Sequence, residues 1–350
     1  MVVTSPRPSR HHAGKVADGA RPRDQCREQG EINRRRRWVV DVVRALSQGV
    51  SLAATLVLAF LVVLTLGACS PRGPQEVDLE EMVSDFVAAN PGEGEDHYRA
   101  PTAPEARALV EAVDLARNGD IGGAARLLGP LDHVVREVRD EATGRRLLLV
   151  TEQPVPSAPR RHGWGLFVVA PQADRGPLIE VPHPAADRQT ELLGVDVFRS
   201  LSGSALLVAG AHRSATPDAD VAHEPDTAFH AVHDALVAPG QTVVQVHGFD
   251  GDDHPRHYGD TVVSDGAHEG GPPSPTSMSL TSALEGAGFQ VCLQHRDRCD
   301  RLAATQNLQG RSARAMGGQF VHLEVEASIR SDPVGRRRLA DVTAFGLRED

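Results

Sequence analysis

Lysine is almost missing from this chain of 350 residues: Lys15 is the only one, so every cationic side chain after it is an arginine. That bias fits the codon usage of a GC-rich genome and carries no functional meaning. There is no internal repeat and no glycine-rich phosphate loop, which sets aside solenoid arrays and phosphate-cradling sites. No Gly-x-Ser-x-Gly elbow occurs, so a serine hydrolase of the usual α/β type is disfavoured. Cysteine is scarce, with four in all, and Cys292 has no His/Asn signature beside it that would make it a nucleophile. Basic charge is also short where it would be needed to grip nucleic acid. Beyond residue 68 there are 26 basic against 42 acidic side chains, a net of −16. Since affinity for nucleic acid comes from neutralising phosphates, no nucleic-acid partner is expected.

The acidic part begins after a leader of different composition. Residues 1–37 hold Pro, Gly, Arg and His without an apolar run, which predicts a disordered or untranslated leader. Arg34-Arg-Arg-Arg37 precede the uncharged stretch Val50–Leu66, then Leu66-Gly-Ala-Cys69 and Ser-Pro-Arg-Gly-Pro. This is the layout of a secretory signal over 38–69. The stretch before the basic segment is longer than such signals carry, which places the expected start near Val39–Val43. Cysteine after Leu-Gly-Ala resembles the lipobox of bacterial lipoproteins. The resemblance implies cleavage before Cys69 and a lipid, diacylglycerol with palmitate-type chains, on its sulfur. The competing expectation is an ordinary membrane anchor, because the run approaches the roughly 20 residues that span a bilayer. Either way the mature part is expected at the cell membrane on its extracytoplasmic face. Cys26 lies in the leader; in such an oxidising compartment the two remaining cysteines of the mature part, Cys292 and Cys299, are expected to pair as a disulfide, with a Cys/His metal knuckle including His295 or two free thiols as alternatives.

Residues 70–103 read as an acidic, Pro- and Gly-rich tether with one amphipathic run, Leu79–Ala89. Residues 104–345 read as a single domain. A helical period over 104–128 is broken at Asn118-Gly-Asp, and strands follow within 131–151 and at 163–170. After that, strands at 177–182, 205–210 and 241–247 alternate with helices at 188–201, 226–237 and 276–287. A short strand at 261–264, one at 289–293 and a last one at 320–326 complete the pattern. Such alternation predicts an α/β fold, a mixed, largely parallel sheet with flanking helices in a hydrolase- or phosphorylase-like three-layer arrangement.

Several of these strands end on residues that ligate metals or move protons. They are Leu178-Ile-Glu-Val-Pro-His183, Ala205 to His212, Thr242-Val-Val-Gln-Val-His247 and Phe320-Val-His-Leu-Glu324. In open α/β sheets ligands bind in the crevice outside the carboxyl ends of the strands. His183 at a strand end and Glu191 in the first turns of the next helix can converge on one ion. His247, followed by a glycine that lets backbone approach a ligand, supplies a third ligand, and zinc sites commonly use three with a place left for water. His223 competes with Glu191 for that role, and Asp220 is suited to orient an imidazole. Glu324 is the expected base, with Glu326 on the same strand face as its competitor. Arg213 suits a bidentate contact with a substrate carboxylate, and His212 the polarisation of a carbonyl. His230 and His233 share a helix face and are read as packing or solvated groups. The loop 250–258 lacks calcium-loop spacing and is read as a flap. The amides of 304–311 could meet a substrate backbone or form a surface turn.

The order His183…Glu191, His247-Gly and a late strand with Glu324 resembles zinc carboxypeptidase-like enzymes, a grouping that includes N-formylglutamate amidohydrolases and polyglutamate hydrolases. The resemblance spans roughly 178–330. It implies one zinc on His183, Glu191 and His247, Glu324 as base, Arg213 as carboxylate binder, and hydrolysis of an amide next to a carboxylate. The chain departs from the family's His-x-x-Glu spacing, since His183 and Glu191 are separated by seven residues. The expectation is therefore a lipid-anchored metal-dependent hydrolase acting on a small peptide-like or carboxylate substrate. The alternatives are a non-catalytic ligand-binding lipoprotein and a metal-dependent phosphoesterase.

Overall fold

The computed structural model describes residues 73–154, 162–171, 176–254, 256–267 and 271–348. The leader (1–37), the signal (38–69) and Cys69 lie outside the described residues. One sheet carries ten strands: β1 (Gln75–Val77), β2 (His133–Asp140), β3 (Arg146–Glu152), β4 (Leu166–Val169), β5 (Leu178–Val181), β6 (Ala205–Val208), β7 (Thr242–Phe249), β8 (Thr261–Ser264), β9 (Val291–Leu293) and β10 (Gln319–Glu326). Their spatial order is β1-β2-β3-β4-β6-β5-β7-β10-β8-β9. The central block β6-β5-β7-β10 is parallel throughout, as are β1 with β2 and β8 with β9. The β2-β3-β4-β6 side and the β10–β8 pair are antiparallel. This is the mixed α/β sheet that the alternating pattern predicts.

The helices are α1 (Leu79–Ala88), α2 (Ala103–Arg117), α3 (Ile121–Leu128), α4 (Thr190–Ser200), α5 (Ala228–Leu236), α6 (Pro275–Gly286), α7 (Leu308–Ala315), α8 (Ala327–Ser331) and α9 (Pro333–Gly346). Strand alternation splits the apolar side chains between two cores. Ile179, Val181, Leu206, Val208, Val244, Val246, Val321 and Leu323 pack with α1, α4, α6 and α9. Leu178, Leu207, Val243 and Phe320 point the other way, against α2, α3, α5 and α7. The result is a three-layer sandwich with the sheet in the middle. Among the described residues no helix is long and apolar enough to cross a membrane.

Connectivity places a crevice. From β5 the chain runs through α4 on one face to β6; from β6 it runs through α5 on the other face to β7, which lies on the opposite side of β5. The direction of winding therefore changes between β5 and β7, and the crevice at their carboxyl ends is the topological switch point. His183 follows β5, and His247 lies near the end of β7.

The expected tether over 70–103 is corrected from Gly73 onward. β1 pairs with β2, and Leu79, Val83 and Phe86 of α1 are buried in the core with α4 and α9. The Pro/Gly-rich stretch after α1 is tied down too: Asn90 Nδ2 donates to the Ala209 carbonyl at 3.1 Å, His212 N–H to Pro91 O at 2.9 Å and Gly94 N–H to Ser214 O at 3.0 Å. The C-terminal helices α8 and α9 had no clear sequence signal. α9 supplies Arg336, 3% exposed, whose Nε donates to Asp196 of α4 at 2.6 Å and whose Nη2 donates to Glu80 of α1 at 3.0 Å. Cys292 and Cys299 are joined by a disulfide.

Removing one partner of a buried ion pair leaves the other charge without compensation, a loss of about 3–5 kcal/mol. Arg336→Ala is expected to destabilise the folded unit by that order in urea denaturation. Glu80→Ala, at the more exposed end of the same network, is expected to cost clearly less.

Candidate metal centre

Register across the parallel strands assembles the site. In the β7–β10 pairing His247 lies opposite Glu324 and Gln245 opposite His322; in the β5–β7 pairing Glu180 lies opposite Gln245. All five side chains therefore project from one face of the sheet near its carboxyl end. His183, just past β5, is brought over them by a turn in which the amides of Ala186 and Asp187 donate to its carbonyl at 3.1 and 2.8 Å. That turn puts Asp187, four residues on, beside the His183 ring.

Two overlapping groups result, His183–Asp187–His247 and His247–His322–Glu324. In each, one ligand atom per residue can be chosen so that all lie within 4.8 Å of one another, and all these residues are buried. The rings of His183 and His247 meet edge to face at 4.9 Å between centroids, and those of His247 and His322 lie 4.7 Å apart. A neutral imidazole has a single lone pair, so His247 serves one ion at a time and the groups are not two independent sites.

The hydrogen bonds decide between them. His183 Nε2 lies 2.9 Å from Asp220 Oδ1, and His247 Nε2 lies 3.0 Å from Gln245 Oε1. Both neighbours are acceptors and lie nearer than Asp187 does to the other ring nitrogen, so in neutral rings both Nε2 atoms carry the proton. Each Nδ1 lone pair then faces Asp187 Oδ2, at 3.6 Å from His183 and 3.2 Å from His247. His183 Nδ1 is buried and has no hydrogen-bond partner. Two lone pairs aimed at a carboxylate repel it unless a cation lies among them. The chemistry of this donor set, two imidazole nitrogens and a carboxylate oxygen with their far sides hydrogen-bonded, fits a zinc-type ion.

A proton is the cation's competitor. Burial disfavours the charged form of His183, but Asp187 and Asp220 outweigh it and raise its pKa. Burial likewise opposes ionisation of Asp187 and Asp220, yet His183 with His247, and His183 with His223, hold the two carboxyls well below the usual range. His247 is pushed down by burial and by the nearby His183 charge, and His322 still further, by burial and His247. Glu324 is the opposite case. Burial, with the Asp187 charge behind it, lifts its pKa to about 8, and its Oε2 has no hydrogen-bond partner.

The remaining expected site residues fall differently. Glu191 is in neither group. It sits in the first turn of α4, its carboxylate turned back on the helix-start backbone, with its pKa raised by burial. The carboxylate grouped with His183 and His247 is Asp187, where the sequence pointed to Glu191. His223 does not approach the ligand cluster either; its Nδ1 lies 3.0 Å from Asp220 Oδ2, so Asp220 bridges His183 to a half-exposed imidazole. Glu326 caps α8 through the Ser328 amide and is held low, after opposition from burial, by such hydrogen bonds. Arg213 lies at the rim, 47% exposed and 3.9 Å from Asp187 Oδ1. His212 accepts from the Ser214 amide at 3.0 Å and belongs to neither group. The amides of Asn307 and Gln309 turn into the protein rather than toward a substrate, bonding Gln245 and the Val221 carbonyl.

Asp187 and His322 were overlooked in the sequence, though both left a signal. Asp187 is four residues after a strand-end histidine, the reach of one turn. His322 is two before Glu324, the spacing that puts two strand residues on one face.

No family model matches the sequence, and no curated protein matches it. Among solved structures the chain is similar to a gene product of Agrobacterium tumefaciens, with a TM-score of 0.40 and 12% identity, over 51% of this chain and 90% of that one. It is also similar to a metallo-carboxypeptidase from Burkholderia cenocepacia, with a TM-score of 0.31 and 16% identity, over 67% of this chain and 66% of that one.

Glu324 generates a pH signature. Its folded pKa, about 8, lies above the unfolded value of ~4.3, so the folded state holds a proton that the unfolded state has lost between those values. The stability this group contributes is complete below pH ~4.3 and is lost as pH rises to about 8. In metal-free protein the stability difference between wild type and Glu324→Gln is expected to shift steadily against wild type from pH 5 to 8, then level off. Denaturant titrations at several pH values measure it; a pH-independent difference contradicts the raised pKa.

Proposed function

We propose that this chain is a metal-dependent hydrolase of amide bonds next to a carboxylate, held at the extracytoplasmic face of a membrane by a lipid on Cys69. One observation carries the catalytic part: the Nδ1 atoms of His183 and His247 both face Asp187 while their Nε2 atoms are occupied by Asp220 and Gln245. His183, Asp187 and His247 would hold the ion. When bound, such an ion supplies Lewis-acid polarisation of a carbonyl and acidifies water at its open position.

The protein groups supply the rest. Glu324, buried and with one oxygen unpartnered, is placed to take the proton from the attacking water and return it to the leaving amine. A carboxyl with a pKa near working pH suits both transfers. Arg213, charged and half in solvent at the rim, is suited to clamp the substrate carboxylate beside the scissile bond. Asp220 fixes the His183 ring. Burial of the cluster strengthens each of these electrostatic contacts.

The phosphoesterase reading calls for two ions, and the sharing of His247 between the two groups weighs against it. The Cys292–Cys299 disulfide supports an oxidising compartment, in keeping with the lipobox-like Leu66-Gly-Ala-Cys69.

Protein purified without chelator is expected to hold close to one equivalent of zinc or a similar ion; less than about a tenth of an equivalent would sink the metal reading. Asp187→Asn is expected to lose about 10²-fold or more in metal affinity. Glu324→Gln is expected to keep the metal and lose about 10²–10⁴ in kcat on an N-acyl amino acid or peptide. Equal kcat in wild type and Glu324→Gln would remove Glu324 from the chemistry. Cys69→Ser is expected to move the protein from the membrane to the soluble fraction and to end incorporation of labelled palmitate.

A further inference from the structure

Behind His247 lies a buried amide network. Gln245, fully buried, is held on both ends of its side-chain amide. Its Nε2 donates to Glu180 Oε2 at 2.9 Å, and its Oε1 accepts from Asn307 Nδ2 at 2.6 Å as well as from His247 Nε2 at 3.0 Å. Each of those partners is itself pinned. Glu180 and His233 are both fully buried, and His233 Nδ1 lies 2.6 Å from Glu180 Oε1. Asn307 is the N-cap of α7, and its Oδ1 accepts the Gly310 amide at 2.9 Å.

The orientation of the Gln245 amide follows from its neighbours. A carboxylate only accepts, so the end of Gln245 beside Glu180 is its NH2. The Oδ1 of Asn307 is committed to a backbone N–H, so Asn307 offers its NH2 and the end of Gln245 it meets is the carbonyl. Both constraints give the same answer, and they arise on different elements, β5 and the start of α7. The carbonyl end is also the end that faces His247 Nε2. Nε2 therefore has a pinned acceptor at 3.0 Å, closer than Asp187 Oδ2 is to Nδ1 at 3.2 Å, and a neutral His247 carries its proton on Nε2 with Nδ1 as a lone pair toward Asp187.

We infer that Glu180, Gln245 and Asn307 are positioning residues that set the tautomer of His247. His247 is the ligand on the strand side of the cluster, and unlike His183 it has no carboxylate on its far nitrogen. The neutral amide therefore does what Asp220 does for His183: it selects the ring nitrogen that faces Asp187. A glutamine accomplishes this without adding a second negative charge beneath a buried ring, and its orientation is set by a charge one strand away. For its functional consequence this inference rests on the metal reading; for the tautomer itself it does not.

The test exchanges donor and acceptor at the two pins while keeping net charge and shape. In Glu180→Gln/Asn307→Asp the new glutamine presents an NH2 and the new aspartate a carboxylate oxygen, so Gln245 is driven to reverse. Its NH2 then meets His247 Nε2, and the proton moves to Nδ1. Metal-free protein labelled with 15N-histidine is examined by long-range 1H–15N correlation near neutral pH, with His247 assigned from a His247→Gln spectrum. Wild type is expected to show the Nε2–H form and the double variant the Nδ1–H form. Zinc affinity measured by chelator competition is expected to fall about 10–100-fold in the double variant. Should the double variant fail to fold, Asn307→Asp alone, which keeps the Glu180–His233 pair and an α7 cap, is expected to give a mixture of the two forms. A wild-type His247 protonated on Nδ1, or an unchanged Nε2–H form in the folded variant, overturns the inference. The tautomer switch without measurable zinc binding in wild type instead upholds the network and overturns the metal reading.

Discussion

The site depends on one uncomfortable placement: a buried carboxylate, Asp187, set against the Nδ1 atoms of two imidazoles. With both rings neutral such an arrangement is repulsive, and burial removes the water that would screen it; a bound cation or a proton on His183, which Asp187 and Asp220 favour, relieves it. It persists because the surrounding structure fixes every group from behind. Asp220 holds His183, Gln245 holds His247, and the two peptide groups that follow Asp187 are held by Arg330 of α8. That guanidinium donates to the carbonyls of Val325, Asp187, Arg188 and Phe249. It thereby gathers the turn after β5 and the ends of β7 and β10 around a single cation. Rigidity imposed in this way is what keeps ligand atoms apart at a spacing a cation can use.

The layers of the fold were legible because apolar side chains alternate along short strands and recur at helical period between them. His183 and His212 follow β5 and β6, and His247 and Glu324 lie near the ends of β7 and β10; that regularity pointed to the edge of the sheet where His183, His247 and Glu324 gather. Less visible was where the domain begins. The segment around Leu79–Ala89 is amphipathic, but its acidic, Pro- and Gly-rich flanks resemble a linker; only the contacts of Leu79, Val83 and Phe86 with α4 and α9 show that it is core. The helix α9 was equally hard to see, because Gly335-Arg-Arg-Arg338 interrupts any apolar period there, while Arg336 is buried on Asp196 and Glu80.

At the candidate site, His183, His247 and Glu324, which fall in the two buried groups, could be singled out from the chain, and the carboxylate beside the two imidazoles could not with the same ease. Glu191 satisfied the family order, and a helix-start glutamate is a plausible ligand until the turn at 183–187 is known. A hydrogen-bonded turn spends four residues to return the chain on itself, and this brings Asp187 and not Glu191 beside the ring. Gln245, Asn307 and Gln309 were beyond reach for another reason. Buried amides have no periodic signature, and their roles exist only once β5, β7 and the start of α7 are packed together.

Gly248 has a consequence of another sort. A side chain there would collide with the guanidinium of Arg330, which lies eighty-two positions downstream in α8. The glycine after His247 is thus not chiefly an opening for substrate but a seat for that cation. In distant relatives the two positions should vary together: where the arginine is replaced by something small, a larger residue can follow the histidine, and where it is kept the glycine must be as well.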